Sequence, residues 1–348
     1  MKLFVFSKRW IPGTTVLLLA ISTFARTPAI TPASIQSAAG YSAGQRGKSL
    51  LISQNGKIIF EQYTNGYSSG EANKIYSGTK GFWNLAALAA EQDGLLRLKE
   101  RASDTITEWQ SDSLRSRITI RQLLDFTSGL DPSFELHQDG ISDRDLIAVR
   151  RPMVARPGNA FIYGPCSLQV FHLILKRKLA AQGESPTHYL ERRVLKPMGL
   201  GTQRYVADRS GNPLLAAGFM LTARQWSREG RVLLNDGFPV TTGALDHFNS
   251  GTDANPAFNM GFWNNSQAGS RSAREVDVEQ MLERKWPQQD WHRACLCKDA
   301  PEDLIAAIGS GQQRLYISPS LSLVVVRQGR DSPFSDAMFL RLLFGGSN

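Results

Sequence analysis

At 348 residues, with 42% apolar and 20% charged positions, the chain is long enough for one large domain or two ordinary ones, and its composition is that of a soluble globular protein. The formal charge of +9 is interspersed with acids, without a Lys/Arg block or interleaved aromatics. That excludes a nucleic-acid groove as the reading of the charge and leaves a solvated surface.

The chain opens with Lys2, Lys8 and Arg9, then an apolar run from Val16, then small residues around Thr23 to Ala25. This is the layout of a secretory signal peptide, so residues 1–25 are expected to be cleaved during export to the periplasm or beyond. The uncharged run from Trp10 to Ala25 is short for a membrane span and carries Pro12 and Gly13, so no stable span is expected after processing. Cleavage lowers the formal charge from +9 to +6.

"KSLLISQNGKIIFEQYTNG" is two β-rich runs joined by Asn55-Gly56, a strong hairpin signal. The run Phe82 to Ala90 is apolar all round and is stopped by Gly94, which predicts a helix inside the protein. A helix-rich middle follows. Thr119 with Gln122 forms a capping-box pattern before a helix ending at Gly129; Ser142 with Asp145 opens another, and Thr222 with Gln225 a third. Pro165 to Gly183 and Pro186 to Lys196 also have helical spacing, the second after Ser185. The last third returns to strands in "EDLIAAIGSG", "QQRLYISP" and "LSLVVVRQG", and an amphipathic helix, "FSDAMFLRLLF", closes the chain. Residues 245–300 carry no readable periodicity. Strands at both ends with helices between predict an α+β protein: one sheet from N- and C-terminal segments, flanked by helices, with a helical subdomain inserted. The expected division is one catalytic domain over 26–345, with 46–110 and 245–345 forming the sheet and its flanking helices, and 111–244 mainly helical.

Ser77 and Lys80, in "SGTK", head the buried helix and form the one S-x-x-K of the chain. Residues three apart on a helix are neighbours, so hydroxyl and amine face the same side. A serine is a weak nucleophile until a base takes its proton, and a lysine serves as that base only if burial lowers its proton affinity. The alternative is a serine N-cap beside a surface lysine. Tyr163, in "YGP" just before a helix, is a candidate proton relay if a neighbouring lysine keeps it acidic or ionised. Gly309 and Gly311 at a strand edge allow a substrate backbone to approach closely and leave N–H groups free for an oxyanion.

These stretches, with "LLDFTSGL", "RPGNAFIYGP", "LTARQWSREGRVLLNDG", "MGFW" and "GSGQQRLYISPSLSLVVVRQG", resemble in order the serine β-lactamase and penicillin-recognising family, over roughly residues 45–345. The nearest branch is that of esterases, D-aminopeptidase-like and 6-aminohexanoate-dimer-hydrolase-like enzymes. The resemblance implies a β-lactamase/transpeptidase-like fold with an antiparallel sheet. It makes Ser77 the acylated nucleophile, Lys80 its general base, Tyr163 the Y-x-N tyrosine, and the N–H groups of Ser77 and Ser310 the oxyanion hole. No cofactor or metal is implied, and the partner is a small ester or amide. Two positions depart from the pattern. Pro165 replaces the Y-x-N asparagine, and the K/H-T-G strand reads Ala307-Ile308-Gly309, so the parts that recognise a β-lactam carboxylate are missing. Arg314 or an arginine from 245–300 is the candidate substitute charge. The expectation is an exported serine hydrolase; the alternatives are a β-lactamase or D,D-peptidase proper, or a non-catalytic binding protein on the same fold.

Three further signals are set aside. "GYSSG" matches a nucleophile elbow around Ser68, but no helix starts at that serine. "SAGQRGKS" lacks the first glycine of a P-loop. Cys166, Cys295 and Cys297 leave at least one thiol free, and His292 with the last two lacks a fourth ligand and a standard zinc spacing.

Overall fold

The computed structural model describes residues 30–234 and 245–346. The expected signal peptide therefore lies outside the described residues, as does the end of the "ARQWSREGRVLLNDG" helix. Among the described residues no helix is long and apolar enough to cross a membrane.

The predicted hairpin forms from β1 (Gly47–Gln54) and β2 (Lys57–Tyr63). Its two turn residues, Asn55 and Gly56, hold φ of 51° and 75°, the double positive φ of the turn that matches strand twist. β3 (Asn73–Lys74) pairs with β4 (Met220–Leu221), and β5 (Phe258–Asn259) with β6 (Phe262–Asn264). β7 (Arg274–Glu275) lies parallel to β8 (Ala294–Cys295). The three predicted C-terminal strands are β9 (Ile305–Gly309), β10 (Gln313–Ser318) and β11 (Leu323–Gly329). β2, β1, β11, β10, β9, β6 and β5 form, in that order, one antiparallel sheet, so the chain's two ends meet at β1 and β11. The fold is α+β.

The helices are α1 (Pro32–Gly44), α2 (Thr79–Gln92), α3 (Ile120–Leu124), α4 (Arg144–Arg150) and α5 (Pro165–Leu179). α6 (Pro186–Leu190), α7 (Ala223–Leu234), α8 (Asp246–Asn249), α9 (Val278–Leu282) and α10 (Asp336–Leu343) complete the set. α1 and α10 pack together on one face of the sheet and α7 on the other, so β9, β10 and β11 bury every residue and show no polar alternation. Gly230 of α7 lets that helix press on the sheet: a Cβ there would meet Val324 at 2.6 Å and Ile317 at 3.2 Å.

The capping boxes of Thr119 with Gln122 and Thr222 with Gln225 are both present. α3 nevertheless stops at Leu124 and not at Gly129. The Asp125 carboxylate is taken by Arg121 at 2.6 Å and by the Met260 N–H at 3.1 Å, and Phe126 turns the chain with φ 57°. The cap of α4 is Asp143 and not Ser142; it accepts from Leu146 N at 3.0 Å, while Asp145 is buried against His172. Beyond α6 the helix widens into a π-helical turn over Glu191–Leu195.

Candidate active site

Ser77 sits in a tight turn, Tyr76–Gly78, that feeds directly into α2. The residue at the N-cap of α2 is Gly78, and no side chain caps the helix, so the Ser77 hydroxyl is not consumed as a cap. Lys80, one residue into α2, is 2% exposed. Its Nζ lies 2.7 Å from Ser77 Oγ and donates to the Ala216 carbonyl at 2.9 Å. Among the described residues no carboxylate lies in ion-pair range of it. Burial alone lowers its pKa to about 7, because an ammonium deprived of water and of a counter-charge is costly.

Tyr163 ends the loop before α5, with its ring centroid 4.8 Å from Lys80 Nζ. Gly164 is needed there because a Cβ would run into the Pro132 carbonyl, and Pro165 supplies the first turn of α5. Burial pushes the Tyr163 phenol above its usual range, and hydrogen bonding with Ser77 offsets only part of this. The condition that a neighbouring lysine keeps the phenol acidic is not met: burial raises the proton affinity of Tyr163 beside the serine. Its ring is held at the edge of an aromatic cluster with Phe126, Phe161, Phe258 and Trp263.

Ser77, Lys80, Tyr163, Ser310 and Gly311 line one cleft of about 590 Å³. Gly309 does not. A Cβ on Gly309 would strike the Ile75 carbonyl, so this glycine admits the chain leading to Ser77 and not a substrate. The strand register also corrects the reading of Ala307, which is fully buried; its neighbour Ile308 is the residue that faces the cleft. Arg314 is not a substitute charge either. It is fully buried between Asp336, at 2.7 Å, and Glu279, at 2.8 Å. The acids Glu279, Glu283 and Asp331 line the cleft, with Lys80 as the one Lys or Arg in its wall among the described residues. Arg284 and Lys285 line an adjoining cavity of about 420 Å³, which shares Phe134, Tyr163, Leu282 and Glu283 with the cleft.

His137 was invisible to pattern reasoning, being a lone histidine in an irregular stretch. It lines the cleft as an exposed side chain, and partial enclosure together with the Lys80 charge lowers its pKa to about 4. Phe134 and Tyr76 stand exposed at the cleft mouth.

Ser68 lies on an exposed turn away from this wall. All three cysteines are buried free thiols, and burial pushes Cys166 and Cys297 up to about 12 and Cys295 up to about 11. His292 is exposed. Glu275, Cys297 and Asp299 gather ligand atoms within 4.8 Å of one another, but Arg341 already holds both carboxylates, at 2.6 Å and 2.7 Å. That cluster is an ion-pair network with its cation in place.

A profile of the family described as Beta-lactamase matches residues 33–273. The chain is 29% identical over 172 residues to Protein flp of Staphylococcus aureus (strain MW2), a match covering 44% of this chain and 33% of that protein. It thus spans about a third of the length of the curated relatives it matches. Among solved structures it is similar to EstCE1, a hydrolase with promiscuous acyltransferase activity, at TM-score 0.64 and 16% identity, covering 90% of this chain and 97% of that one. It is likewise similar to a penicillin binding protein from Bacillus halodurans, at TM-score 0.60 and 15% identity, covering 89% and 98%. At such identities these likenesses show a shared fold.

Proposed function

The chain belongs to the Beta-lactamase family of serine hydrolases, and we propose that it is an exported enzyme that cleaves a small ester or amide through an acyl-enzyme on Ser77. The observation that carries this reading is the 2.7 Å contact between Ser77 Oγ and a fully buried Lys80 that has no carboxylate partner among the described residues. Lys80 is the general base. As its neutral amine, it takes the Ser77 proton while Oγ bonds to the substrate carbonyl carbon. The negative charge that develops on the carbonyl oxygen falls near the N–H groups of Ser77 and Ser310 and the positive end of α2. Tyr163, a phenol beside Oγ, passes its proton to the leaving group as it receives from Lys80 the one taken from Ser77, so both groups end neutral. Water then attacks the ester carbon, and the same groups run in reverse to free Ser77.

The wall of the cleft favours neutral substrates. Ile308 offers no hydrogen bond where a substrate carboxylate would need one, and the lining acids Glu283 and Asp331 repel an anion, Glu279 being paired with Arg314. Arg284 and Lys285 in the adjoining cavity favour a second reading, in which a substrate long enough to reach them carries a carboxylate, as in a β-lactamase or D,D-peptidase. Intact-mass analysis after a fluorophosphonate and after an activated ester, with peptide mapping, tests the first reading. An adduct on Ser77 is expected. A folded protein that takes no adduct there overturns it in favour of a binding protein on this fold.

A further inference from the structure

Behind the nucleophile turn lies a carboxyl group that the proposed chemistry does not use. Glu229, on α7, is fully buried. Its Oε2 accepts from Trp226 Nε1 at 2.9 Å, and its Oε1 has no hydrogen-bond partner among the described residues. Both side chains fill space left by missing side chains on the α2 turn. A Cβ on Gly78 would stand 2.6 Å from the Trp226 ring, and one on Gly81 would run into Glu229 Oε1. Gly78 and Gly81 flank Thr79 and Lys80, so the Trp226–Glu229 pair is the floor on which the Ser77–Lys80 turn rests.

From the structure we infer that Glu229 is a positioning residue held as a neutral carboxylic acid, and that its ionisation slows the chemistry of the Ser77–Lys80 pair at alkaline pH. This rests on the reading of Ser77 and Lys80 given above. The surroundings carry little that could stabilise a charge. On the sheet side α7 meets Ile317 and Val324 directly, and Leu315 and Val326 share their face by strand alternation. β4 contributes Met220 and Leu221, and Phe262 of β6 closes on Gly81 from beside the carboxyl. Of the arginines on α7, Arg224 is paired with Glu61, and Arg228 donates to the Gly199 carbonyl; Arg231 lines a small cavity beside the hairpin turn with Ser53, Asn55 and Gly56. Lys80 is the titratable group that α2 places beside the turn. Burial accordingly raises the Glu229 pKa to about 8, against the partial relief of the Trp226 hydrogen bond.

Loss of that proton sets an uncompensated negative charge against the backbone of the turn. The charge delays the loss of the Lys80 proton, and once Lys80 is neutral it still opposes the oxyanion that forms on the other side of the same turn. Through a protein interior with an effective dielectric constant near 20, one such charge is worth on the order of tenfold in rate. The active form is then the one with both groups neutral: Lys80 sets a rising limb near pH 7 and Glu229 a falling limb near pH 8. Two other groups of the cleft do not cross this window. His137 is already neutral, and Tyr163 keeps its proton beyond it.

The test is the rate of fluorophosphonate labelling of Ser77 from pH 6 to 10 in the unmodified enzyme and in Glu229→Gln, each normalised to its own rate at pH 7. Glutamine keeps the acceptor for Trp226 and cannot ionise. The expected result is a fall of about tenfold above pH 8 in the unmodified enzyme and none in Glu229→Gln, with the rising limb kept in both. A fall of the same size and midpoint in Glu229→Gln overturns the inference and leaves the hydrolase reading standing. Ser77 unlabelled at every pH overturns the hydrolase reading itself, and the inference with it. If Glu229→Gln does not fold, the unmodified enzyme labelled with 13C at glutamate side-chain carboxyls decides. One carboxyl titrating together with the falling limb supports the inference, and none titrating above pH 7 overturns it.

Discussion

Two buried regions of this protein treat the same problem in opposite ways. In the nucleophile corner, Lys80 and Glu229 are both fully enclosed, and neither has an opposite charge in ion-pair range among the described residues. Between the sheet and α10, Arg314 is as deeply buried but is gripped by Asp336 and Glu279, and its pKa is pushed above its ordinary value by those carboxylates despite burial. Desolvation acts on every one of these groups. What differs is compensation: the paired cation stays charged and serves as structure, whereas the unpaired ones are driven towards neutrality, the state a base requires. A buried charge thus marks chemistry only where its partner is missing, and the contrast between the two regions can be broken experimentally.

The largest effect is expected at Ser77. Ser77→Ala should abolish fluorophosphonate labelling and lower kcat by orders of magnitude, as removal of a nucleophile does, while Ser68→Ala labels normally. Labelling that followed Ser68 would refute the assignment of the corner. Next comes the base. Lys80→Arg should be nearly as damaging as Lys80→Ala, because arginine keeps a charge and does not release its proton at ordinary pH; circular dichroism checks that each variant folds. Turnover near normal in a folded Lys80→Arg would exclude lysine as the base. The same group gives a sign for stability. Lys80 titrates near 7 when folded and near 10.5 when unfolded, so between those values its amine binds more protons in the unfolded chain and contributes stability that rises with pH. Lys80→Met should remove that rise in urea midpoints measured from pH 8 to 10, above the range in which the raised Glu229 pKa acts in the opposite direction.

Breaking the paired region should do the reverse, costing stability and sparing chemistry. Asp336→Ala leaves Arg314 with Glu279 alone and removes the acceptor of the Tyr316 hydroxyl. A loss of about 3–5 kcal/mol in urea unfolding is expected, with unchanged labelling per folded molecule below the transition. A loss below about 1 kcal/mol would show that the cluster is solvated and that burial misdescribes it.

Much of this contrast was legible beforehand. Asn55-Gly56, the capping boxes at Thr119 and Thr222 and the three C-terminal runs each carry a local signal strong enough to survive packing, and S-x-x-K spacing brings Ser77 and Lys80 together on any helix. What escaped depends on tertiary position. Glu229, in "SREGR", reads as the solvated side of an amphipathic helix until Gly81 is seen pressed against it. His137 has no pattern around it. Arg314 looked free because its partners lie 22 and 35 positions away in the chain. Which residue of Ala307-Ile308-Gly309 faces the cleft is a matter of strand parity, with Gly309 turned towards Ile75 and Ile308 in the cleft wall.

A smaller effect concerns substrates that carry a carboxylate beside the scissile bond. One missing charge-assisted hydrogen bond is worth about 1.5–3 kcal/mol, so nitrocefin should be turned over with a kcat/KM on the order of ten- to a hundredfold below that of a short p-nitrophenyl ester. A kcat/KM for nitrocefin above that for the esters would mean that Arg284 or Lys285 reaches the substrate, and the second reading of the function would replace the first.

The smallest effect should come from Ile308, and it runs towards gain. This side chain is 5% exposed, and it faces the cleft from a strand whose two flanking positions point elsewhere. Ile308→Thr keeps the β-branch that suits a strand and sets one hydroxyl at the cleft wall. A hydroxyl donating to a carboxylate recovers part of one charge-assisted bond, so kcat/KM for a carboxylate-bearing amide should rise by about three- to tenfold relative to a neutral ester. The exchange also removes apolar volume from a packed strand, and a stability loss on the order of 1 kcal/mol is expected beside the gain. The two readouts separate the causes: a looser cleft would raise both substrates together, whereas a recognition contact raises only the anionic one. Equal change in both would show that Ile308 shapes the cleft without reading charge, and the deficit towards carboxylates would then belong to Glu283 and Asp331.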